Sequence, residues 1–311
     1  MNIFFISLPI FLIIFSGWLL KKYKIVTNDW IHILNNFAYY VSLPALIIGS
    51  FWEIDFSSYQ SLRLIFWSLL IVILFSLAIF VLLSLFKISK SLKAAIFLGA
   101  TVGNTLYIGF PLVELGFGKD YLPAAALIGV IFLIIPLLIV IALIQYWYCR
   151  GDCLKKELAG FLKNPLVISA LVGVLLSFVE IDYPPMVSGV EPLIGGIKKS
   201  IAMLGATASP VALFALGAFM YKRFLKKDLG KAFFVSALKM IVAPAIVLIG
   251  SLYFYDNGDL KILTFLAAMP VAVSTFVIAE RFNLDKDLIG NSIIISTILS
   301  FIVAPLILFL F

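Results

Sequence analysis

Ten apolar runs, each about as long as a bilayer is thick, follow one another along this chain with only short polar stretches between them. They fall at roughly residues 3–20, 32–52, 64–86, 94–117, 121–147, 165–181, 192–221, 232–255, 261–281 and 288–311. A helix needs roughly 17–25 residues to cross about 30 Å of hydrocarbon, so each run is long enough for one span. A soluble fold of 311 residues has nowhere to hide this much apolar surface. Here 63% of the residues are hydrophobic and 13% charged, where soluble domains run at roughly 45–50% and about 25%. The expected fold class is an all-α membrane protein of ten transmembrane helices.

The loops assign an orientation. After spans one, three, five, seven and nine come three, three, four, five and two basic residues, seventeen of the 23 Lys and Arg. The positive-inside rule places those loops in the cytoplasm and both termini on the non-cytoplasmic side. A net charge of +7 and a pI near 9.3 are thereby explained by topology, and nucleic acid is not an expected partner. The N-terminal run has the length of a signal peptide, but lysines follow it rather than precede it and no A-x-A site closes it, so it reads as the first span. Cys149 and Cys153 share a basic loop with nothing to complete a zinc site, and His32 lies in another loop. No metal site, cofactor or catalytic residue is expected.

Five spans precede a hydrophilic linker at 148–164 and five follow it. Because five is odd, residues 165–311 start from the opposite side to residues 1–147, and two related halves would form an inverted repeat. Matched prolines support that relation. Span two carries Ser42-Leu43-Pro44 and span seven Ser209-Pro210; Pro111 in span four answers Pro270 in span nine, and Pro136 in span five answers Pro305 in span ten. Matched, interrupted spans point to a transporter site near the midplane.

Span four is the least lipid-like, with Thr101, Gly103, Asn104, Thr105, Gly109 and Pro111 at bilayer depth. Glycine and proline weaken an interior helix, and a buried amide needs partners, so a break is expected near Asn104–Gly109. In span nine, Pro270 frees a carbonyl one turn earlier, with Ser274 and Thr275 at hand for loosened backbone groups. Close packing of small residues and a simple proline kink are the plainer readings of these two segments. If both are broken and cross, two helix N-termini, each carrying about +0.5 charge and free N–H groups, meet and attract a carboxylate. Lys239 in span eight must face a cavity, find a partner or snorkel to the cytoplasmic edge. No span holds a central pair of acidic residues, which disfavours a cation antiporter.

The stretch from Asn104 to Leu112, Asn-Thr-Leu-Tyr-Ile-Gly-Phe-Pro-Leu, resembles the Asn-Thr-Leu-x-x-Gly-x-Pro-Leu signature of the auxin efflux carrier family. Asn164-Pro165, Ala212 through Gly217, the Lys-x-x-x-x-Pro of Lys239 to Pro244, Ala268-Met269-Pro270 and Val277 through Glu280 are similar to further stretches of that family in the same order. The resemblance covers essentially the whole chain, in a short-loop, prokaryotic-type form. It implies two inverted five-helix repeats with spans four and nine crossed. Spans one, two, six and seven would form a scaffold, and spans three to five and eight to ten an elevator-type transport domain. It also implies transport of organic acids: indole acetate in plants, and dicarboxylates such as malate or malonate in bacterial relatives. Gly129 stands where many relatives have Asn, which sets contacts from span five apart.

The expected function is a secondary transporter moving a small organic anion across the plasma (inner) membrane by alternating access. Asn104 and Thr105 are expected at the anion or the crossover. Gly103, Gly109, Pro111 and Pro270 would set the breaks, and Ser274 and Thr275 would line the site. Ser42, Thr207 and Ser209 would face it from the scaffold, and Lys239 would balance charge. Besides the anion and the bilayer, a homodimer is an option. The alternatives are a sodium- or proton-coupled symporter of bile-acid-transporter architecture and a non-transporting membrane receptor.

Overall fold

The computed structural model of the chain describes residues 4–148, 163–178, 190–223, 228–251 and 257–311. Cys149, Cys153 and all but the ends of the linker at 148–164 lie outside the described residues. Among them the structure is helical throughout: α1 (Phe4–Lys22), α2 (Asn28–Phe37), α3 (Leu43–Trp52), α4 (Tyr59–Ser84), α5 (Lys90–Thr101), α6 (Phe110–Phe117), α7 (Leu122–Tyr148), α8 (Pro165–Ser177), α9 (Val190–Ala206), α10 (Ala208–Met220), α11 (Leu229–Ala237), α12 (Ala243–Ser251), α13 (Asn257–Ala267), α14 (Ser274–Arg281) and α15 (Lys286–Phe309). Seven helical stretches among the described residues are long and apolar enough to cross a membrane. The expected spans four and nine do not reach that length because each is interrupted, and α8 is short.

Among the described residues there are three single π-helical turns, and a proline stands two residues beyond each. The turns are Ala38–Ser42 before Pro44, Thr105–Gly109 before Pro111, and Leu238–Val242 before Pro244. Proline has no N–H to donate, and its ring collides with the carbonyl four residues back. Widening the preceding turn relieves that collision. The residue just before each proline then reaches five positions back: the amides of Leu43, Phe110 and Ala243 donate to the carbonyls of Ala38, Thr105 and Leu238. Pro136 in α7 and Pro305 in α15 leave their helices unbroken.

Glycines set the closest helix crossings. A methyl group on Gly17 of α1 would run into the carbonyl oxygen of Phe214 in α10, and one on Gly217 of α10 into that of Ile14 in α1. Gly173 of α8 and Gly205 of α9 press in the same way on α3, at Phe51 and Leu46. In lipid, where apolar surface gains little by leaving the solvent, such backbone-to-backbone approach supplies the packing energy between helices. On the other side, α11 lies along α15, and Gly99 of α5 accepts the Val235 side chain against its backbone. The α15 helix is the most enclosed of the long apolar ones: 61% of its apolar stretch is buried, against 22% for α1. It still carries Asn291, Ser292, Ser296, Thr297 and Ser300, all buried. At the end of α10, the Arg223 guanidinium sits 4.3 Å from the Phe219 ring and 4.7 Å from that of Phe276 in α14. Burial lowers the Arg223 pKa, and the nearby Glu280 carboxylate works against that shift.

Candidate functional site

The two interrupted segments pair with each other. After α5 the chain runs extended through Val102 and Gly103 to Asn104, and after α13 residues 268–273 are non-helical. Gly103 stands opposite Val271 in an antiparallel bridge. The Asn104 amide donates to the Pro270 carbonyl at 2.7 Å, and the Ala272 amide to the Val102 carbonyl at 3.1 Å. A helix break at bilayer depth strands backbone donors and acceptors with no water to receive them. Each break here supplies the partners the other lacks. Pro270 suits its place because its carbonyl is used and an N–H is not needed.

The break in span four therefore lies at 102–104, earlier than the expected Asn104–Gly109, and residues 105–109 form the π turn that leads into α6. Two glycines explain this. A Cβ on Gly103 would lie 2.6 Å from Lys239 Cε, so any larger residue there would have to displace the end of the lysine. A Cβ on Gly109 would lie 2.7 Å from Leu266 Cδ2 and 3.0 Å from Met269 Cγ, so the π turn seats directly on the end of α13. Pro111 occupies the first turn of α6, where no N–H is missed.

Two backbone groups loosened in span nine find partners outside it. In an unbroken helix the Val271 amide would donate to the Ala267 carbonyl. Instead it donates to Ser296 Oγ of α15 at 3.0 Å, and the Ala267 carbonyl accepts from Lys239 Nζ at 2.6 Å. Lys239 therefore does not snorkel; it is 3% exposed and held inside the protein by the π turn of span eight. Thr275 Oγ1 donates to the Ala272 carbonyl at 2.6 Å.

In span four one group does not. Asn104 is 3% exposed, and its side-chain Nδ2 is buried without a hydrogen-bond partner. Leaving such a donor unmade costs about 1–3 kcal/mol. Its backbone carbonyl accepts from the amides of Ile108 and Gly109, so Asn104 opens the second half of the span. The α14 helix opens correspondingly at Ser274, on the other side of the bridge. The first amides of a helix lack intrahelical acceptors, and its N-terminus carries about +0.5 charge. The orphan amide of Asn104 thus stands at the positive end of the half-helix it opens, and among the described residues no carboxylate bonds to it.

The other expected site residues divide. Ser274 is half-buried at the first position of α14. Thr105 turns away, donating to the Gly129 carbonyl of α7 at 3.1 Å. Ser42 meets Thr207 Oγ1 at 2.6 Å, and Thr207 itself donates to the Leu204 carbonyl at the junction of α9 and α10. Ser209 is half-buried in the first turn of α10. Neither Ser42 nor Ser209 reaches the Asn104 amide. Ser296 was absent from the sequence reading; its signal is the buried polar spacing of span ten, with Ser292, Ser296 and Ser300 four residues apart.

A family model described as membrane transport protein matches residues 3–148 and 152–308. An uncharacterised transporter of Methanocaldococcus jannaschii is 26% identical, over 97% of this chain and 96% of its own. A putative malonate transporter of Rhizobium meliloti is 25% identical, over 94% and 91%. Auxin efflux carrier component 1 of Arabidopsis thaliana is 27% identical over 45% of this chain and 22% of its own.

Proposed function

The chain belongs to the membrane transport protein family, that of the auxin efflux carriers, and from that premise we propose that it carries a small organic anion across the membrane by alternating access. Members of this family are membrane transporters rather than enzymes, and the apolar helices make this an integral, multi-pass membrane protein. The finer reading has ten spans in two inverted five-helix repeats, residues 1–147 and 165–311, with both termini on the non-cytoplasmic side of the plasma membrane. Spans one, two, six and seven form the scaffold. Spans three to five and eight to ten carry the crossover as a body that slides between faces.

The observation that carries the anion is the Asn104 side-chain amide, buried and unpartnered where the two broken segments cross. A carboxylate brings acceptors to that amide and negative charge to the helix ends, and it needs no cationic side chain in direct contact. A relative named as a putative malonate transporter fits a carboxylate substrate. The test is uptake of radiolabelled malonate and of small monocarboxylates into proteoliposomes holding the wild type or Asn104→Ala. The expected result is carboxylate uptake that falls at least about tenfold in the variant, the loss of one charge-assisted hydrogen bond. Equal uptake by the two proteins would remove Asn104 from the site.

A further inference from the structure

Lys239 poses a question that the anion site leaves open. Its ammonium is buried at the crossover, bonded to the Ala267 carbonyl at 2.6 Å, and no carboxylate among the described residues pairs with it. The carbonyl it meets is available only because α13 is broken there: the Val271 amide that would fill it in a continuous helix has gone to Ser296. The ammonium also lies against the Gly103 backbone. A Cβ built on Gly103 would stand 2.9 Å from Nζ and 3.6 Å from the Met269 carbonyl oxygen. A lone neutral donor would satisfy one freed carbonyl, as the Ser296 hydroxyl satisfies one freed amide on the same segment. An ammonium bonded to a carbonyl freed by a helix break puts a positive charge where an alkali cation could use backbone oxygen in place of water. Here that charge arrives on a side chain and is left uncompensated one residue before Asn104.

We propose that Lys239 is a tethered counter-cation. It fills at the crossover the place a mobile coupling cation would take, holds the carbonyl end of α13, and offsets the charge of the bound anion, so that the carrier runs without sodium. This rests on the anion-transport reading for its second role; the cation position itself does not.

The experiment compares the wild type, Lys239→Ala and Lys239→Gln, the last keeping length and a hydrogen-bond donor without the charge. Thermal stability of each purified protein is read with no anion present, in chloride salts of N-methylglucamine, sodium and methylammonium. The wild type should be indifferent to the cation. Both variants should melt lower and regain roughly 2–4 °C in sodium or methylammonium, the small cation refilling the vacated position. In proteoliposomes, wild-type uptake should be the same with and without sodium. Uptake by the variants should fall at least about tenfold and be partly restored by the same small cations. Wild-type dependence on sodium, or a Lys239→Gln protein that behaves as wild type, would overturn the proposal. So would variants that no cation stabilises or rescues. Should Lys239→Ala fail to accumulate, the wild-type and Lys239→Gln arms decide alone. If no carboxylate is transported but the variants still gain cation-dependent stability, the anion reading fails and the cation position stands.

Discussion

The two interrupted segments cross as partners and yet end with opposite chemistry. On the span-nine side, the Pro270 carbonyl is taken up by Asn104, the Val271 amide by Ser296 and the Ala267 carbonyl by Lys239, while the Thr264 hydroxyl, one turn before the break, is buried without a partner. On the span-four side the Val102 carbonyl and the Asn104 backbone amide are bonded across the crossover, but the Asn104 side-chain amide is left buried and empty-handed. Span nine is the braced arm and span four the working arm. A carrier of this kind must keep a broken backbone intact in lipid while leaving one donor ready for its cargo, and the division of labour between the arms meets both needs.

Substitutions should separate the arms. The largest effect is expected from Gly103→Val, which drives a branched side chain into Lys239 Cε, 2.6 Å from the position of its Cβ. Loss of about 3 kcal/mol or more should appear as failure to recover monodisperse protein by fluorescence-detected size exclusion. Next comes Ser296→Ala, which leaves the buried Val271 amide without an acceptor. A loss of about 1–3 kcal/mol is expected, read as a lower melting temperature. Arg223→Ala unstacks the guanidinium that bridges Phe219 of α10 and Phe276 of α14. This should cost about 0.5–1 kcal/mol by the same assay. The smallest effect on stability is expected from Asn104→Ala, within about 0.5 kcal/mol of wild type or slightly above it, because an orphan donor is removed along with the side chain. A clear loss of stability there would mean that Asn104 braces the crossover as Ser296 does, and the contrast between the arms would fail.

Much of this was legible in the sequence because glycine, proline and a buried amide have few tolerable places in a lipid-embedded helix. Gly103, Asn104 and Pro270 marked the two breaks, and the family resemblance implied that the two segments cross. The extent of the first break was misjudged because a helix-weakening residue says where a helix is soft, not which softened residue will pair. That was decided by the Pro270 carbonyl and the Ala272 amide, more than 160 residues away in sequence. The π turns were not foreseen. A proline predicts a kink, and whether the preceding turn widens depends on what surrounds it: Pro44, Pro111 and Pro244 follow widened turns, whereas Pro136 and Pro305 do not. Ser42 was expected to face the site from the scaffold, and Thr105 to contact the anion or order the crossover. A hydroxyl in a helix takes any carbonyl or hydroxyl within reach, and theirs were already at hand in Thr207 and Gly129. Lys239 was ambiguous for a related reason. Its depth left snorkelling open until the direction of its side chain was known.

The account stands on a carboxylate meeting the Asn104 amide at the head of two half-helices, and the most direct measurement is a structure of the protein with a bound carboxylate in lipid nanodiscs. The predicted result places one carboxylate oxygen at hydrogen-bond distance, about 2.7–3.1 Å, from Asn104 Nδ2, with the other facing the first turns that begin at Thr105 and Ser274. A carboxylate seated elsewhere, with Asn104 Nδ2 bonded to the protein instead, would contradict it.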